Sequence, residues 1–322
     1  MPPAAATPSA EEATAAGVRL LVLDVDGTVA NRRHEVADAT CAAIARVRAA
    51  GIRVMIATGR RYRDALPVAE RLGLDMPLVT ASGALVKHPA GHQTLTRADF
   101  APGVVETVVA TMLEAGHEPV LYTDSFAAGF DFHCRTLRLG EAVVAGREPG
   151  EVPRGIGLQE YFIRNATVAA VQPDLHAVVP AGVFAGFTMG VESQMETLAA
   201  RLHDRLPGRL SLHTMLSQRY DAWLCEIAPV GVSKWTGVMG VASALGIRPE
   251  EICAVGDDVN DLPMIRAAGL GVAMGNARPE VQAAADRVVG TNDDTGILDV
   301  AEMVLAGLAQ PAPPPRGAAS PR

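Results

Sequence analysis

Three apolar runs in this 322-residue chain end on side chains that can do chemistry. The first, VRLLVL at residues 18–23, stops at Asp24-Val25-Asp26-Gly27-Thr28. Two carboxylates at i and i+2, directly after a buried strand and followed by glycine, can converge on one point where the chain leaves a sheet. The second run, IRVMIA, ends at Thr58-Gly59-Arg60. There a hydroxyl and backbone N–H groups at a strand-to-helix turn suit an oxyanion. Arg60 itself is open between a phosphate field and a structural pairing at the helix start. The third run, EICAVG, ends at Gly256-Asp257-Asp258-Val259-Asn260-Asp261, and Lys234 opens the helix just before it. Together these residues offer carboxylates for a hard cation such as Mg2+, a hydroxyl and N–H groups for phosphate oxygens, and a positive charge. A lone acidic pair at a strand end is ordinarily a helix cap beside a solvated carboxylate. Four such groups in order at strand and helix ends call for another explanation.

The elements that must position them alternate. Strand, helix, strand, helix and strand over residues 18–82 imply a parallel sheet with right-handed crossovers, PLVTA being the third strand. Val36, Thr40, Ile44 and Val47 share one face of its first helix, which Gly51 would stop. The alternation returns late, with helices expected near residues 233–245, 261–268, 279–285 and 295–308 and strands EICAVG, LGVAM and RVV between them. Residues 87–228 have another rhythm, with helices near 103–115 and 192–206 and short strands such as PVLY, GVFAGF, RLSLH and AWLCEI. The expected fold is α/β: a doubly wound, Rossmann-like parallel-sheet core, residues 18–86 and 229–308, with an inserted α+β cap domain at 87–228. The Ala/Pro-rich ends, residues 1–17 and 309–322, read as flexible tails.

Composition narrows the partners. With 28 Lys+Arg against 36 Asp+Glu the net charge is -8, which disfavours nucleic acid. No run approaches about 18 uncharged apolar residues, and residues 1–17 lack the basic-then-apolar order of a leader, so no membrane partner and a cytoplasmic location are expected. Cys41, Cys134, Cys225 and Cys253 form no CxxC pair, which argues against a zinc knuckle or redox dithiol.

The motifs DVDGT, ATGR, GVSK and GDDVND, in that order and with a large insertion between the second and third, resemble those of the haloacid dehalogenase-like phosphohydrolases. The size and place of the insertion are similar to the Cof-type sugar-phosphate phosphatases, as are MGNA at 274–277 and NDDTGI at 292–297. The resemblance implies a Mg2+-dependent phosphatase for small phosphorylated metabolites, with Asp24 as nucleophile and Asp26 as general acid and then base. It implies Mg2+ on the Asp24 carboxylate, the Asp26 carbonyl and Asp257. Thr58, Gly59, Lys234 and Asn260 would hold the phosphoryl group, and Asp261 would orient Lys234 or a metal-bound water. A phosphomutase or phosphotransferase on the same site is the nearest alternative, and an idle metabolite-binding module a more distant one. Two positions depart from the family pattern: Ser82-Gly83-Ala84 stands where Asn-Gly-Ala is usual, and Trp235 where a small residue follows the lysine.

Overall fold

The computed structural model describes residues 17–146, 151–217 and 219–307. The tail expectations for 1–17 and 309–322 therefore lie outside the described residues, apart from Gly17. The strands are β1 (Leu20–Leu23), β2 (Arg53–Ile56), β3 (Leu78–Thr80), β4 (Leu85–Lys87), β5 (Thr94–Arg97), β6 (Val120–Thr123), β7 (Phe132–Cys134), β8 (Ala169–Val171), β9 (Val183–Gly190), β10 (Leu210–Ser217), β11 (Ala222–Pro229), β12 (Ile252–Gly256), β13 (Leu270–Ala273) and β14 (Arg287–Val288). The chain divides into two compact units. One holds the residues up to Ile56, Val68–Met76 and those from Met239 onward; the other holds Ala57–Pro67 and Pro77–Val238.

The first unit is built on a parallel sheet in the order β14-β13-β12-β1-β2. All four residues of β1 are fully buried, as a central strand covered on both faces must be. Each such side chain contributes about 1.5–3 kcal/mol by leaving water. Helix Asp38–Ala49 connects β1 to β2 and buries Thr40, Ala43, Ile44 and Val47 at helical spacing, while Val36 lies before it and is only half-buried. Asp38 in its first turn and Arg46 and Arg48 in its last complement the helix dipole, and Gly51 follows at φ +87°.

PLVTA departs from the expectation. Rather than extending the parallel sheet, β3 makes a single parallel bridge, Val79 with Ala57, and ladders antiparallel to β4 in the sheet β3-β4-β5. The cause lies at Ala81, Ser82 and Gly83, whose positive φ values turn the chain back on itself directly after β3. Asparagine is the residue that best tolerates left-handed backbone after glycine. Ser82 holds that conformation here, at φ +52°.

The remainder of the second unit is a six-stranded sheet, β10-β11-β9-β6-β7-β8, antiparallel except for β7 with β8. Helices Val104–Glu114 and Glu192–Arg205 cover one face through Val108, Met112, Leu198 and Leu202 against Cys225 and Ile227.

His117, before β6, is buried, and desolvation with the nearby Arg154 and Arg201 charges pushes its pKa down to about 4. The unfolded chain then takes up a proton at ordinary histidine pKa that the folded chain refuses. His117 thus costs nothing above about pH 6.5 and destabilises as pH falls toward 4, by about 2 kcal/mol at pH 5. Thermal melts at pH 7 and pH 5 should show a smaller difference for His117→Gln than for wild type. An equal difference would show that His117 does not couple to folding.

Candidate active site

Asp24 and Asp257 follow the last residues of β1 and β12, which are neighbours in the parallel sheet. At β1 the order reverses, since β2 lies on one side and β12, β13 and β14 on the other. Open α/β sheets bind ligands outside the carboxyl ends of the strands at such a point. Carboxylate oxygens of Asp24, Asp257 and Asp261 lie within 4.8 Å of one another, and all three residues are buried.

The local sequence builds this cluster. Gly27 has φ +76°, and a Cβ there would come within 2.1 Å of Asp257 Oδ2, so only glycine admits that carboxylate. Thr28 Oγ1 donates to Asp257 Oδ1 at 3.1 Å. Asp261 Oδ2 accepts from the backbone N–H groups of Asp257 at 3.0 Å and Asp258 at 3.1 Å. A Cβ on Gly256 would strike the Asp261 carboxylate at 2.3 Å. Asn260 is buried in the same short turn. Asp258 faces Arg278, whose Nε lies 3.0 Å from its Oδ1.

Asp26 is placed differently. Its side chain is 47% exposed, with Oδ1 3.5 Å from His34 Nδ1. His34 has no motif to announce it. It is held by a turn in which Asn31 Oδ1 accepts from the N–H groups of Arg33 and Glu35.

Thr58, Gly59 and Lys234 belong to the second unit. Thr58 is 1% exposed; its N–H donates to Val79 O at 2.9 Å and its Oγ1 accepts from Arg60 N–H at 3.1 Å. Ser233 caps the helix Lys234–Ala244 by accepting from Thr236 N–H at 3.2 Å, while Ser233 N–H donates to Thr236 Oγ1. Gly83 is required beside it, because a Cβ there would sit 2.0 Å from Ser233 O. Lys234 is 1% exposed, among the largest fully buried side chains. Its aliphatic stem therefore fills core volume, which its place at a helix start does not disclose. Trp235 is half-buried.

Of the polar residues of the insertion, Tyr122 and Asp124 line a cavity, Arg135 lies 3.6 Å from Glu118, and Arg138 is exposed. Burial lowers the His133 pKa and raises that of Tyr122.

A family profile of haloacid dehalogenase-like hydrolases matches residues 21–300. Stress response protein YhaX of Bacillus subtilis (strain 168) is 28% identical over 287 residues, 87% of this chain and 90% of that protein. Pyridoxal phosphate phosphatase YbhA of Escherichia coli (strain K12) is 28% identical over 290 residues, 87% of this chain and 96% of that protein. Among solved structures, a haloacid dehalogenase-like hydrolase from Bacteroides thetaiotaomicron has a TM-score of 0.70 at 23% identity, covering 89% of this chain and 99% of its own, a likeness of fold. This chain belongs to the haloacid dehalogenase-like hydrolase family. The resemblance read from its four motifs holds, and with it the expectation of a phosphoric monoester hydrolase. Among the described residues, no helix is long and apolar enough to cross a membrane.

Proposed function

We propose that this protein is a Mg2+-dependent phosphatase that hydrolyses small phosphate monoesters, sugar phosphates foremost, through an aspartyl-phosphate on Asp24. The observation that carries this reading is the convergence of three buried carboxylates, Asp24, Asp257 and Asp261, at the carboxyl ends of adjacent parallel strands. Buried carboxylates this close repel one another unless a cation or proton is shared among them, so the donor set suits a hard divalent ion. Asp24, Asp257 and the Asp26 carbonyl would hold it. Bound Mg2+ supplies the positive charge that lets a carboxylate approach a phosphate dianion.

The remaining roles fall to the chain's own groups. Asp24 attacks phosphorus and the leaving alcohol departs with a proton from Asp26. Asp26 then takes a proton from the water that cleaves the acyl phosphate. Its half-exposed side chain suits a group that must meet both alcohol and water. Thr58, the Gly59 backbone, Lys234 and Asn260 hold the phosphoryl oxygens, and Asp261 fixes the 257–258 backbone. Four free cysteines support placing the protein in a reducing cytoplasm.

Release of inorganic phosphate from a panel of sugar phosphates, nucleotides and phosphorylated cofactors tests the reading. Lys234→Met, which keeps most of the buried volume and removes the charge, should cost about 2–4 kcal/mol of transition-state stabilisation. A variant that melts lower but turns over normally would make Lys234 structural. Interconversion of hexose 1- and 6-phosphates faster than phosphate release would mark a mutase.

A further inference from the structure

A cavity of about 20 Å3 in the second unit is walled by Arg61, Thr80, Ala81, Tyr122, Asp124 and Asp131. That is room for one water-sized group. Arg61 is only 6% exposed. Its Nε donates to Asp64 Oδ2 at 2.7 Å and its Nη2 to Asn165 Oδ1 at 2.6 Å, with the guanidinium 5.6 Å from the centroid of Tyr161 and 5.8 Å from that of Phe132. The fork is held rigidly, yet Nη1 is buried with no hydrogen-bond acceptor; the nearest carboxylate oxygen, Asp131 Oδ2, is 3.6 Å away and already accepts from Arg63 Nε at 2.8 Å. A buried charged donor left without an acceptor is costly, so a partner for it is favoured.

We infer that Arg61 is a specificity-determining residue, whose Nη1 donates to a hydroxyl of the substrate's leaving alcohol seated in this cavity. Three positive side chains, Arg61, Arg63 and Lys87, are met by three carboxylates, Asp64, Asp124 and Asp131. A balanced field favours a neutral group over an ion. A hydroxyl accepts from the arginine and donates to a carboxylate, so it satisfies both kinds of wall at once. The cavity also adjoins the Thr58–Arg60 turn, because Ala81 N–H donates to Arg60 O at 2.9 Å and Ser82 N–H to Thr58 O at 3.0 Å. An ester held at that turn has its alcohol portion beside Arg61. The substrate class that fits is a polyol or sugar phosphate with a free hydroxyl remote from the ester, rather than a carboxylate-bearing ester.

This inference rests on the phosphatase reading, and the test separates the two. Wild type and Arg61→Met are compared on hexose 6-phosphates, ribose 5-phosphate, their monodeoxy analogues and p-nitrophenyl phosphate, whose leaving group carries no alcohol hydroxyl. Deleting the recognised hydroxyl, as one of the monodeoxy analogues does, should lower the wild-type kcat/KM by about ten- to a hundredfold, and Arg61→Met should lower kcat/KM for the parent sugar esters by a similar factor relative to p-nitrophenyl phosphate while erasing the deoxy penalty. Equal losses on all esters, or no loss, would overturn the inference, as would a wild type indifferent to every deoxy position. Should Arg61→Met fail to fold, Arg61→Lys keeps the charge near Asp64 but loses the second arm of the fork, and must show the same selective loss. If wild type hydrolyses neither p-nitrophenyl phosphate nor any sugar ester, the phosphatase reading itself falls, and this inference with it.

Discussion

Asp24→Asn is expected to fold as wild type does and to lose at least about a thousandfold in kcat, in line with other removals of a nucleophile. The side chain emerges directly after β1, a strand whose residues are wholly buried, and is itself 5% exposed. An amide of the same shape keeps that packing, and the change relieves one negative charge in a cluster of three. The packing should therefore hold, whereas the neutral amide oxygen is too weak a nucleophile to displace an alkoxide from phosphorus. Circular dichroism and a thermal melt establish the fold, and phosphate release on the best ester gives kcat. A folded Asp24→Asn protein retaining more than about a tenth of wild-type kcat would remove the covalent mechanism.

The second large effect concerns the metal. Thorough chelation should abolish hydrolysis, and Mg2+ should restore it while Ca2+ restores it poorly. Ca2+ is larger and takes six to eight oxygens, including bidentate carboxylates, which would draw Asp24 away from in-line attack. There is a readout independent of turnover. Because the buried carboxylates of Asp24, Asp257 and Asp261 repel one another, a divalent ion binds the folded chain in preference to the unfolded one. At a hundred times its dissociation constant it should add about 2.7 kcal/mol of stability. Asp257→Asn, with Thr28 and Gly27 left to support the amide, should blunt that thermal shift. Full activity in chelator after metal stripping, or a melt insensitive to Mg2+, would contradict the assignment.

The carboxylate cluster was legible because β1 and β12 are uninterrupted apolar runs that stop abruptly at acids, a pattern read from local sequence alone. That the two strands lie side by side is a tertiary fact, and it came through the resemblance to a family. PLVTA is the buried strand its composition predicts, with a parallel bridge to Ala57, but the left-handed turn at Ala81–Gly83 adds an antiparallel pairing with β4 that the local pattern does not reveal. Strands of three or four residues such as β5, β7 and β8 are too short for periodicity to reveal. Arg61 was invisible for a different reason. In sequence it is one more arginine at a helix start, and its burial is created by Asp131 and Asn165, the latter 104 positions away. His34 likewise gains its place beside Asp26 only through a left-handed turn, φ +60°.

The strand order also dictates when this protein can finish folding. β1 pairs with β12, and Leu20 meets Ile252 only after 232 further residues have been made. At typical synthesis rates one edge of β1 waits roughly ten to fifty seconds for its partner. The second unit needs nothing beyond Val238. It can close on the ribosome while LLVL still shows an unpaired, wholly apolar edge, the kind of surface that recruits other chains. Chains cut short between Val238 and Ile252 should thus aggregate through β1 even though one of their two units is complete.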